Sequence, residues 1–185
     1  MCIVQPKKLK IKKNITVYKV LNYEETQTDC ILYDFFDSDQ YFFNEIKMVE
    51  NNEPKIDKGG NIYRGFLQTF KRKKDAIRLK QSYSNTEQTL FGNVVPGIIV
   101  KCTIPKDSEF VYKGYYYGWF EGKKPKKVKT YGSQKLRLDK IVWNNSGIID
   151  YKTLFKKMNK AYENELNKRL KDAINNNGQL ENQLL

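Results

Sequence analysis

Between Phe110 and Lys129 an aromatic run is followed by a lysine run. Phe110-Val111-Tyr112-Lys113-Gly114-Tyr115-Tyr116-Tyr117-Gly118-Trp119-Phe120 leads into Lys123-Lys124-Pro125-Lys126-Lys127-Val128-Lys129. Flat π surfaces beside concentrated positive charge are what a polyanion with stackable rings requires, that is, nucleic acid or a nucleotide. In a strand, alternate side chains face opposite sides, so Tyr115, Tyr117 and Trp119 share one face, and Tyr116, Gly118 and Phe120 the other. One face can build core while the other offers a stacking surface. The pattern predicts a binding site made of Tyr115, Tyr116, Tyr117, Trp119, Lys123, Lys124, Lys126, Lys127, Lys129 and Arg137. The opposing reading makes every one of these aromatics core and the lysines the solubilising tip of a hairpin.

A second basic cluster, Lys71-Arg72-Lys73-Lys74 with Arg78 and Lys80, reads as helical. Lys71, Lys74 and Arg78 then fall on one face and widen the predicted site. A third cluster, Lys7-Lys8-Leu9-Lys10-Ile11-Lys12-Lys13, reads as an arm or a strand edge guarded by lysine.

Catalytic chemistry is sparsely represented. The chain has no histidine, which removes Ser-His-Asp triads, Cys-His pairs and histidine-ligated metal. Cys2, Cys30 and Cys102 are far apart and have no C-x-x-C spacing, so no zinc knuckle or disulfide framework is expected. Cys30 and Cys102 read as reduced, buried small hydrophobes. Asp34, Asp37 and Asp39 are close enough in sequence to hold Mg²⁺, but they lack the glycine and terminal glutamate of a calcium loop. No phosphate-cradling glycine motif is present, and no metal or cofactor is expected.

The chain has 185 residues, 34 Lys+Arg against 21 Asp+Glu, and a formal charge of +13. That length suits one domain with a real core. The charge is segregated: residues 22–57 carry ten acids and two bases, net −8, leaving +21 for the remainder. Uniform compositional drift would not separate signs in this way. Either the fold closes the acidic segment onto basic groups or the surface is two-faced. The N-terminus lacks the apolar core of a signal peptide, and no apolar run approaches the ~20 residues of a membrane span. A cytoplasmic protein without a membrane role is expected.

The elements that must position these residues follow from periodicity. β-Branched and aromatic runs predict strands at 15–21, 30–36, 61–66, 97–104, 109–120, 126–130 and 134–143, with 40–49 open between strand and helix. Leu136 and Leu138 should face the core, and Lys135 and Arg137 water. Residues 51–60 carry turn chemistry, 71–81 read as a short basic helix, and 82–96 are polar and turn-rich. From Asp150, apolar residues recur at three- and four-residue steps to Ile174, an amphipathic helix expected over 150–178 with a frayed tail at 179–185. The expected architecture is α+β: a mostly antiparallel sheet of about six strands in a 1–146 binding domain, one short basic helix, and the long C-terminal helix. The distal apolar stripe, Tyr162, Leu166, Leu170 and Ile174, predicts a partner contact, with a target protein or with a second copy.

One set of motifs resembles a group of small uncharacterised proteins encoded by phages and bacterial mobile elements. The set comprises Val17-Tyr18-Lys19, Gly65-Phe66 before a helix carrying Ala76, the run Ile99-Val100-Lys101-Cys102-Thr103-Ile104-Pro105-Lys106, and Tyr131-Gly132-Ser133 with Lys135-Leu136. The resemblance covers roughly residues 1–143. The group itself carries no activity that transfers; joined to the aromatic and basic clusters, the resemblance leads to the expectation of a non-enzymatic binding protein in a bacterial host, acting on nucleic acid or a ribonucleoprotein, with inhibition of a host defence protein complex as one such role. The same motif order distantly resembles the ADP-ribosyltransferase architecture, which would place Tyr18 and Arg64 near a nucleotide. The late strand, Ser133-Gln134-Lys135-Leu136-Arg137, lacks that family's glutamate. Two alternatives therefore stand beside the binding reading: an ADP-ribosyltransferase-like enzyme, and a sponge for a signalling nucleotide.

Overall fold

The computed structural model describes residues 2–25, 30–35, 40–43, 45–49, 54–91, 96–118, 126–144 and 151–182. The strands are β1 (Val4–Lys8), β2 (Ile15–Glu25), β3 (Cys30–Asp34), β4 (Gln40–Tyr41), β5 (Ile46–Met48), β6 (Lys55–Ile56), β7 (Ile62–Arg64), β8 (Leu67–Phe70), β9 (Gly97–Ile104), β10 (Val111–Gly118), β11 (Lys126–Ser133) and β12 (Lys135–Asn144). The helices are α1 (Lys73–Phe91) and α2 (Tyr151–Asn182). The fold is α+β, but the expectation of about six strands is wrong. Among the described residues ten strands form one antiparallel sheet, and β6 and β7 form a separate pair. The missing strands are short. β4, β5, β6 and β8 have two to four residues each, too few for a period-two pattern to register, whereas β7 falls in the strand expected at 61–66. β1 lies in the lysine-rich arm, a composition that strands rarely show.

The main path through the sheet is β1-β10-β11-β8-β2-β9-β12-β5. β2 is its axis. One edge of β2 pairs with β9 from Ile15 to Asn22; the other pairs first with β8, at Tyr18 opposite Phe70, and then with β3, from Leu21 onward. The sheet thus forks along this second edge, with Lys19 and Val20 in the fork.

Polar clasps close the fork on both sides. The Lys19 ammonium donates to the Gln68 carbonyl at 3.1 Å and pairs with Asp34 at 2.5 Å, joining β8 to β3. Tyr41 donates its hydroxyl to the same carboxylate at 3.0 Å. On the opposite face, Lys80 of α1 is fully buried and donates to Asn22 Oδ1 at 3.2 Å. Gly97 lets it pass, because a Cβ there would sit 2.5 Å from Lys80 Cε.

Two apolar clusters use the two faces. Val17, Leu21, Val100, Cys102, Leu136, Leu138, Val111 and Tyr131 are buried with Tyr41, Phe43, and Leu154 and Met158 of α2. Val20, Phe70, Ile99 and Val128 are buried with Ala76 and Leu79 of α1. Leu136 and Leu138 are inward and Arg137 is exposed, as their alternation predicts. α1 is longer than the sequence suggests: the polar stretch 82–91 continues it, and only a narrow apolar stripe touches the sheet. None of the described helices is long and apolar enough to cross a membrane.

Candidate nucleic-acid interface

β10 and β11 pair in unbroken register: Tyr115 lies opposite Lys129, Tyr116 opposite Val128, Tyr117 opposite Lys127 and Gly118 opposite Lys126. Directly opposed residues in an antiparallel pair point to the same face. Tyr115, Tyr117, Lys127 and Lys129 therefore share one side, and Tyr116 and Val128 the other. Tyr116 meets Phe70 edge-on, with ring centroids 6.1 Å apart, against the α1-side cluster. Burial and the neighbouring Tyr83 push its phenol pKa upward. Tyr117 is 43% exposed.

Lys127 is held low across the rings. Its Nζ lies 3.9 Å from the Tyr115 centroid and 5.8 Å from that of Tyr117, and donates to Gln5 Oε1 at 3.0 Å. Gln5 reaches this position through an irregularity in β1. The register shifts between Val4 and Lys7, and Gln5 takes a positive φ of 53°.

Neighbouring strands extend the rows. Lys7 lies opposite Lys113. The Lys71 amide donates to the Lys129 carbonyl at 3.1 Å, so Lys71 continues the Tyr115–Lys129 row onto the end of β8. Among the described residues, none of Lys71, Lys113 and Lys129 is ion-paired with a carboxylate. At its other end the same face enters the core through Tyr131, Val111 and Leu67.

The predicted site residues divide accordingly. Tyr115, Tyr117, Lys127, Lys129 and Lys71 come together. Tyr116 and Lys126 lie on the reverse side. Lys71 precedes α1 instead of sharing a helical face with Lys74 and Arg78, which are exposed on the helix itself. Arg137 belongs to β12, separated from β11 by β8, β2 and β9, and it pairs with Asp139 at 3.1 Å. Trp119, Lys123 and Lys124 lie outside the described residues. Lys113, Lys7 and Gln5 are additions. Period-two alternation from Tyr115 could have found Lys113, whereas only the bulge in β1 reveals Gln5.

Asp34 is buried against Lys19 and Tyr41, and Asp37 and Asp39 lie outside the described residues. No metal-binding group of three or more ligands occurs among the described residues. Tyr18 packs with the α1-side cluster, while Arg64 is exposed on the separate β6–β7 pair. A cavity of about 240 Å³ lies between β3, β4 and α2, lined by Phe42, Ala161 and Glu165 among others, and not at the aromatic face. On α2, Tyr162 packs against Phe42 at 5.7 Å between centroids, while Leu166, Leu170 and Ile174 are 49%, 60% and 62% exposed. No family model, curated protein or solved structure matches the chain.

Proposed function

We propose that the protein is a non-enzymatic nucleic-acid-binding module acting through the face formed by β1, β10, β11 and the end of β8. One observation carries this reading: Lys113, Lys129 and Lys71, none of them ion-paired among the described residues, lie on the same face as a half-exposed tyrosine, Tyr117, which stands opposite the ring-seated Lys127. Lysines supply phosphate contacts, and a solvent-facing ring supplies a stacking surface. The target is nucleic acid, free or within a ribonucleoprotein, in the cytoplasm of a bacterial host. Steric blockade of a defence complex would use the same face.

The test is the salt dependence of binding to a mixed-sequence oligonucleotide. Four phosphate contacts, from Lys71, Lys113, Lys127 and Lys129, predict a log–log slope of about −3, at roughly −0.7 per contact for a single strand. Lys127→Ala with Lys129→Ala should flatten that slope by about 1.4. Binding that stays undetectable at low salt rules the proposal out.

A further inference from the structure

We infer that the ligand of this face is an unpaired strand that crosses the β-strands and sets one base on Tyr117. This deepens the nucleic-acid reading and rests on it. Three features select a single strand. First, the available ring is part of the sheet surface, so a base can stack on it only if its own face is free. In a duplex, base faces are covered by their neighbours. Second, Lys127 is pinned to that same floor by Gln5 Oε1 and the Tyr115 ring. A phosphate that reaches it must descend almost to the tyrosines, which a flexible strand can do while delivering a base to Tyr117. Third, the amines run across the sheet and not along one strand. Lys113 and Lys129 lie on β10 and β11, two residues out of register, and Lys71 directly follows β8 beside Lys129, so the amines cross three adjacent strands, about 10 Å at the usual strand spacing. That track accommodates a few nucleotides of one backbone.

The experiment compares labelled twelve-nucleotide RNA and DNA strands of mixed sequence with their duplexes at low salt, using native protein, Tyr117→Ala, Tyr117→Phe and Lys127→Ala/Lys129→Ala. Single strands of either sugar should bind at least tenfold tighter than duplexes. Tyr117→Ala should weaken strand binding by roughly tenfold or more, while Tyr117→Phe retains it, because the ring face does the work. Tyr117 is solvent-facing, so circular dichroism should report an unchanged fold for both variants. Equal affinity for strand and duplex, with Tyr117→Ala silent and the double lysine variant weakened on both, overturns the single-strand inference and leaves the nucleic-acid reading standing. Failure of every probe to bind overturns both.

Discussion

The clasp at Lys19 makes a strong prediction about which charges build the fold. Lys19 and Asp34 are both buried, and the ammonium bridges the Gln68 carbonyl of β8 and the Asp34 carboxylate of β3 where the two strands diverge from β2. Lys19→Met preserves length and apolar stem but removes the charge, leaving a buried carboxylate without its cation. Breaking a buried pair from one side costs about 3–5 kcal/mol. With a urea m-value of ~2 kcal/mol/M, the unfolding midpoint should fall by about 2 M. Asp34→Asn keeps an acceptor for Tyr41 and should cost a similar amount by stranding the ammonium. The double variant should lose much less than the sum, with a coupling of at least ~2 kcal/mol. Urea titration followed by tyrosine and tryptophan fluorescence measures all four proteins. A Lys19→Met variant at the parent midpoint, with additive effects in the double, would refute the clasp and turn attention to Lys19 as a chemically available amine.

Cys2 is exposed while Cys30 and Cys102 are buried, and burial pushes the Cys102 thiol pKa upward; a thiol reagent at mildly alkaline pH should therefore titrate one cysteine in the native protein and three in denaturant. The raised thiol pKa also implies stability that is present below the unfolded thiol range and lost as pH climbs through it, so unfolding midpoints should fall above about pH 8.5 and fall less in Cys102→Ala. Leu166→Asp with Leu170→Asp alters side chains already half exposed on α2; the thermal midpoint should move by no more than about 2 °C, and any self-association seen by light scattering should disappear.

The parts of the fold legible in the sequence are those where burial and periodicity agree. β9 is buried along nearly its whole length and reads as an unbroken β-branched apolar run. From Tyr115 to Tyr117 the tyrosine alternation divides the faces as expected, because β10 and β11 pair without a bulge, while Trp119 and Phe120 lie outside the described residues. Legibility fails where charge goes inside. Lys80 looks like one more cation of a solvated helix, yet it lies fully buried beneath Gly97. Lys19 sits mid-strand in the same guise. It also fails where sequence order departs from sheet order. β12 follows β11 in the chain but is separated from it in the sheet by three other strands, so Arg137 leaves the face that its neighbours in sequence build.

The segregated charge has a physical resolution that bears on the binding reading. Of the acids in residues 22–57 whose side chains are described, Glu24 is exposed, Asp34 is bound by Lys19 and Tyr41, Glu45 by Arg169, and Asp57 by the amides of Gly59 and Asn61. Those amide bonds hold the Asp57 carboxylate below its ordinary range. Asp34, Glu45 and Asp57 are thus engaged locally, at the fork, at the α2 docking site and in the β6–β7 turn. Lys71, Lys113 and Lys129, by contrast, have no carboxylate partner among the described residues, and they are gathered on neighbouring strands. Charges several strands apart are largely screened at physiological ionic strength, where the Debye length is about 8 Å. Asp34 on β3 and Glu45 beside β5, both beyond β8 and β2 from β11, therefore do little to cancel the field over β10 and β11. On the proposed reading, an approaching polyanion is attracted to that half of the sheet, and Lys71, Lys113 and Lys129 exchange counterions for phosphates without first breaking an ion pair among the described residues.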